Sequence, residues 1–96
     1  MSLPKNEQTD TFVEAILHLK SPEECYAFFE DVCTVKEVHA MAQRLWVAGL
    51  LSDGESYQCV SERTGASSAT VGRVKRCLDY GAGGYPMILK RMRGNK

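Results

Sequence analysis

The sequence predicts an all-α fold of about six helices, and three features carry that reading. Apolar residues recur at helical spacing along most of the 96 residues. Ser or Thr followed three positions later by Glu marks two helix starts, at Ser21 and Thr34. Glycine and proline clusters fall between the periodic stretches and not inside them. No stretch alternates as a strand would.

The elements follow in order. "TDTFVEAILHLK" sets Phe12, Val13, Ile16 and Leu17 on one stripe. "SPEECYAFFEDV" has Ser21 as N-cap, Pro22 at the first helical position and Glu24 to close a capping box, with Cys25, Phe28, Phe29 and Val32 as its apolar face. "TVKEVHAMAQRLWVAGLL" repeats the device with Thr34 and Glu37. Its apolar residues run nearly round the circumference, which predicts a central, buried helix. "SDGE" is a turn. "SYQCVSERTG" is a short helix stopped at Gly65, "SSATVGRVKRCLDY" a helix capped by Ser67, and "PMILKRMR" a basic final helix after the "GAGGYP" break.

One domain over residues 1–96 fits this length, and a domain so small gains from a larger shared core. The excess of apolar helix surface predicts an obligate homodimer joined through the helices of residues 9–50. No apolar run is long enough to span a bilayer, no signal-peptide stretch opens the chain, and a cytoplasmic location is expected. Cys25, Cys33, Cys59 and Cys77 form no C-x-x-C pair and read as buried free thiols, with no metal site. No histidine or carboxylate stands in a catalytic motif, so no enzyme is expected.

The zero net charge conceals a division. Residues 1–62 hold 4 basic and 11 acidic side chains, whereas residues 63–96 hold 8 basic and one acid, Asp79. A positive pole of this kind faces a polyanion or attracts the acidic half of its own chain. The pair of short helices at about residues 56–79 has the layout of a helix-turn-helix. At about 100° per residue, Val71, Val74 and Leu78 fall inward, and Ala69, Gly72, Arg73 and Arg76 fall outward. Small residues permit close approach to a major-groove floor, hydroxyls and the helix N-terminus suit phosphate, and arginines reach phosphates or guanine edges. The candidate DNA-binding residues are Gln58, Arg63, Ser67, Ser68, Ala69, Thr70, Gly72, Arg73, Lys75 and Arg76. The alternative is a protein-interaction module that docks an acidic partner on the same hairpin; it would show exposed aromatic or leucine anchors on that face.

"MAQRLWVAGLLSDGESYQCVSERTGASSATVGRVKR" resembles the Trp repressor superfamily, and "GASSATVGRVKRCLDYGAGGY" resembles in particular its YerC/YecD-type branch. The resemblance runs from about Val32 to the C-terminus. It implies a Trp-repressor-like, intertwined homodimer that binds double-stranded DNA as a sequence-specific transcriptional regulator, a repressor, with two half-sites one helical turn apart. It also implies a ligand pocket. The tryptophan-holding threonine and two arginines of the family fall on Thr34, Arg44 and Arg73. Thr34 is also accounted for as a cap, Arg44 as a partner of an acid such as Glu37 or a side chain that snorkels from the central helix, and Arg73 as a DNA contact. Val74 stands where the family has a glycine beside the indole ring, and Cys77 where it has a serine. Tryptophan is therefore not expected to bind usefully; another small-molecule co-regulator, or none, is expected, and no other cofactor.

Overall fold

A computed structural model describes residues 2–94. Six helices run in order: α1 (Glu7–Leu17), α2 (Pro22–Val32), α3 (Val35–Ser52), α4 (Tyr57–Thr64), α5 (Ser68–Tyr80) and α6 (Gly84–Gly94). There is no strand among the described residues. The chain divides into two compact units, one up to Val38 and one from His39.

In the first unit the helix starts are set by side-chain caps. α1 begins earlier than its apolar stripe, because Asn6 Oδ1 accepts the Thr9 amide at 2.9 Å. Ser21 Oγ accepts the Glu24 amide at 3.1 Å, while Glu24 Oε1 reaches back to the Lys20 amide at 2.8 Å, one residue before the cap. Thr34 and Glu37 make the fully reciprocal box: Thr34 Oγ1 accepts the Glu37 amide at 3.1 Å and Glu37 Oε1 accepts the Thr34 amide at 2.8 Å. The donated Thr34 amide, with its hydroxyl, holds the Glu37 carboxyl below the ordinary glutamate range. Phe12 and Phe28 stack at 5.9 Å between centroids, and Phe29 meets Phe28 edge-on at 5.3 Å. Neither α1 nor α2 has a buried residue, and Leu17 and Tyr26 stay open to solvent.

The second unit holds the core. Val47, Ala48, Leu50 and Leu51 from the end of α3 pack with Val60 of α4, Ala66 of the following turn, Val71 and Val74 of α5, and Leu89 of α6. Leu45, Leu78 and Tyr85 close its edges. Within a single chain, the central, buried helix expected for α3 is met by its last turns. Only its last turns, Val47–Leu51, are buried, while Val35, Met41 and Trp46 are exposed and His39 faces solvent. An apolar circumference signals surface that needs a cover, not one that its own chain supplies.

Two of the three glycines of "GAGGY" have a backbone reason: Gly81, at the end of α5, and Gly83, which takes a φ of +90°. A Cβ on Gly81 would strike the Cys77 carbonyl, so the chain leaves α5 by a path that only glycine permits. α6 then starts at Gly84, two residues before the predicted proline start. Pro86 still lies in its first turn, where a missing N–H breaks no bond. At its other end Arg93 ties α6 to the end of α3, donating to the Gly49 carbonyl at 3.0 Å and pairing with Asp53 at 2.8 Å. The thiols are less hidden than expected: Cys25, Cys33 and Cys59 are half-buried and Cys77 is exposed.

Candidate nucleic-acid interface

The turn between α4 and α5 is fixed bond by bond. Gly65 takes a left-handed φ of +77° and donates its amide to the Ser61 carbonyl at 2.9 Å, which closes α4. Thr64 Oγ1 donates to the Val60 carbonyl at 2.8 Å and accepts the Ala66 amide at 3.1 Å. Ser61 Oγ donates to the Ala66 carbonyl. Gln43 Nε2, on α3, donates to the Thr64 carbonyl at 3.2 Å. With Val60 and Ala66 in the core beneath, the two helices hold one relative pose.

That pose presents the N-terminus of α5. Ser67 Oγ accepts the Thr70 amide at 3.1 Å and donates to the Thr70 hydroxyl at 3.1 Å. No hydrogen bond within the described residues takes the Ser68 and Ala69 amides, so two donors remain at the positive end of the helix dipole. Ser67, Ser68 and Ala69 are exposed, and Thr70 is half-buried. A Cβ placed on Gly72 would meet nothing within 4 Å, so this point of the face is a shallow recess. Arg73 and Arg76 are exposed beside it, and the inward residues Val71 and Val74 are buried as expected.

Other candidates lie away from this stripe. Gln58 is exposed on α4 and points to Glu62 at 3.4 Å. Arg63, also exposed, pairs loosely with Glu55 at 3.8 Å. Lys75 sits about 100° round α5 from the centre of the arginine face and pairs with Asp79 at 3.2 Å, toward α6. Its place in the sequence cluster reflects proximity in the chain, not a shared face. The sequence reading missed Tyr80, which is 86% exposed and continues the Ala69, Arg73, Arg76 stripe by one helical repeat, about 16 Å from Ala69. Its i+4 spacing from Arg76 was the available signal.

The ligand-pocket residues divide between the two units. In the first, the Thr34 hydroxyl is occupied as the α3 cap. In the second, Arg44 is half-buried and in no ion pair among the described residues, Val74 is in the core at 2% exposure, and Arg73 and Cys77 are open. On α4, the Cys59 thiol donates to Glu55 at 2.8 Å. That bond to a carboxylate, reinforced by desolvation, pushes the thiol's pKa up.

Residues 7–93 match the Trp repressor protein family. The chain belongs to the Trp repressor family. It is 47% identical over 89 residues to the uncharacterised protein YerC of Bacillus subtilis, a match covering 93% of this chain and 86% of YerC. Among solved structures it superimposes on a Trp repressor-like protein from Staphylococcus aureus with a TM-score of 0.89 at 45% identity, covering 92% of this chain and 88% of that one. A TrpR-like protein from Eubacterium eligens gives the same TM-score of 0.89 at 43% identity, over 92% and 91% of the two chains. The all-helical fold expected from the sequence is thus that of the family. Family membership points to a DNA-binding regulator, a class that is not enzymatic. No helix among the described residues is long and apolar enough to cross a membrane.

Proposed function

We propose that the chain is a homodimeric repressor that binds a specific double-stranded DNA sequence through α4 and α5. The observation that carries this reading is the outward face of α5. It has two unpartnered amides at its N-terminus, a side-chain-free recess at Gly72, and Arg73 and Arg76 flanking that recess. Amides and hydroxyls suit phosphate oxygens, the recess admits base edges, and the guanidiniums reach guanine. Dimerisation is supported by apolar surface left open in each unit: Leu17 and Val35 in one, Met41, Trp46 and Met92 in the other. A location in the cytoplasm accords with this role. The test is selection of duplexes from a random pool, followed by anisotropy titrations of the selected and scrambled sequences across salt concentrations. A selected sequence should bind at least a thousandfold tighter than the scrambled one. Equal affinity for both would refute sequence-specific binding.

One observation favours the second reading, in which the hairpin docks an acidic protein. Tyr80 is an exposed aromatic at the end of the same face, as a protein-docking surface would have. Tyr80→Ala separates the two: on DNA it removes at most a contact at the rim, whereas on a protein partner it removes the anchor.

A further inference from the structure

A groove of about 430 Å³ opens between the end of α3, the inner flank of α5 and α6, wholly within the unit that starts at His39. Its size falls in the range of small-molecule sites. Its apolar lining is Leu51, Leu78, Pro86 and Leu89. Its polar lining is Ser52, Lys75, Lys90 and Arg93, with Asp79 as the single acid. Two of these cations already have partners, Lys75 in Asp79 and Arg93 in Asp53 and the Gly49 carbonyl. Lys90 makes no ion pair among the described residues. The groove therefore offers an apolar body site with one uncompensated ammonium beside it.

Two neighbouring surfaces leave this groove open. The face of α5 proposed for DNA is centred on Ala69, Arg73 and Arg76, while the groove takes the Lys75, Leu78 and Asp79 flank. On α6, the exposed apolar residues Ile88 and Met92 lie on the opposite flank from Pro86, Lys90 and Arg93. A partner seated on Ile88 and Met92 alone would leave the groove flank of α6 uncovered.

We infer that this groove binds a small amphipathic organic monoanion, a carboxylate on an apolar body, with the carboxylate on Lys90 and the body over Leu51, Leu78 and Leu89. The net positive lining selects against cations, and the leucines select against a small hydrated anion such as phosphate. The site is separate from Thr34, Arg44 and Arg73, and it does not depend on the DNA-binding reading.

The experiment titrates the full chain with 4-phenylbutyrate and, in parallel, with its uncharged amide, reading backbone and methyl chemical shifts. Saturable shifts at Leu51, Leu78 and Leu89 are expected for the acid, with the amide about tenfold weaker. Lys90→Glu should weaken the acid about tenfold or more. Asp79→Asn should tighten it, because it removes a like charge and frees Lys75. Arg91→Glu makes the same charge change about 100° round α6 from Lys90 and should leave the affinity unaltered. The proposal is overturned if no groove shift saturates at millimolar acid, if the amide binds as well as the acid, or if Lys90→Glu and Arg91→Glu act alike. It is also overturned if Lys75 and Lys90 variants leave the acid untouched but weaken duplex binding on every sequence, which would make the groove a phosphate-contacting flank.

Discussion

Gln43 on α3 donates its side-chain amide to the Thr64 carbonyl at 3.2 Å, across 21 residues of chain. This bond fastens the turn of the helix pair to the helix that supplies four of the nine core residues. It also satisfies a carbonyl that the left-handed residue Gly65 turns out of the helical ladder. Gln43→Ala is expected to destabilise the fold by about 1 kcal/mol. For a chain of this size that is a fall of roughly 4–8 °C in Tm, measurable by thermal unfolding.

The glycines of the helix pair should respond in opposite directions. Gly65 has φ +77°, so Gly65→Ala forces a side chain into left-handed backbone and should cost about 1–2 kcal/mol. Gly72 sits in ordinary helix with open space where a Cβ would go. Gly72→Ala should therefore raise stability by about 0.5–1 kcal/mol. On the DNA reading the same substitution fills the recess and lowers duplex affinity. Unfolding curves and anisotropy on one preparation check both signs; a stabilised Gly72→Ala that binds DNA unchanged would show that the recess receives no base.

What was legible in the sequence was what local chemistry decides. The caps at Ser21, Thr34 and Ser67 and the stop at Gly65 depend on residues within four positions of one another. What was not legible depends on azimuth or on a second surface. Lys75 looked like part of the arginine cluster because a charge count has no direction, yet it turns toward Asp79 and α6. Tyr80 carries no mark of its exposure in the sequence, because an aromatic in the last turn of a helix reads equally as core or as surface. Which turns of α3 stay open, Met41 and Trp46 among them, was not legible, since an apolar helix reads the same whether its own chain or another covers it.

The arginines should separate by readout. Arg73→Ala and Arg76→Ala are each expected to weaken binding to the selected duplex, by about 1–3 kcal/mol where the guanidinium reads guanine. Where it contacts only phosphate, the loss should be alike on all sequences and the salt slope should fall by about 1. Titrations at several salt concentrations distinguish the two. Unchanged curves for both variants would move the interface off α5.

The box at the start of α3 gives a pH signature. The Thr34 amide and hydroxyl hold the folded pKa of Glu37 below its unfolded value, so its contribution to stability is present above about pH 4.3. It is lost as pH falls through the lowered folded value. Glu37→Gln should destabilise the protein near neutral pH and should flatten the acid limb of a Tm-versus-pH curve. A wild-type curve and a Glu37→Gln curve that stay parallel through that limb would show that the carboxyl is not titrating as bonded.

The last prediction concerns Val74, the residue that stands at the family's glycine beside the indole ring. It is 2% exposed and packs in one cluster with Val47, Val60, Val71 and Leu89. A side chain so placed does more than occupy a ligand slot; it builds the contact between α5 and the rest of its unit. Val74→Gly removes that contact, leaves a cavity and puts glycine mid-helix. The expected cost is about 3 kcal/mol, from lost burial and from helix propensity together. Val74→Ala keeps the helix former and should cost less. Wild-type protein is expected to bind tryptophan weakly or not at all, since opening a slot at this position would mean giving up core. Calorimetry with tryptophan on wild type and Val74→Ala, beside their unfolding curves, checks both halves. Tight binding by wild type would place the ring elsewhere than against Val74, and a Val74→Gly variant as stable as wild type would remove Val74 from the core.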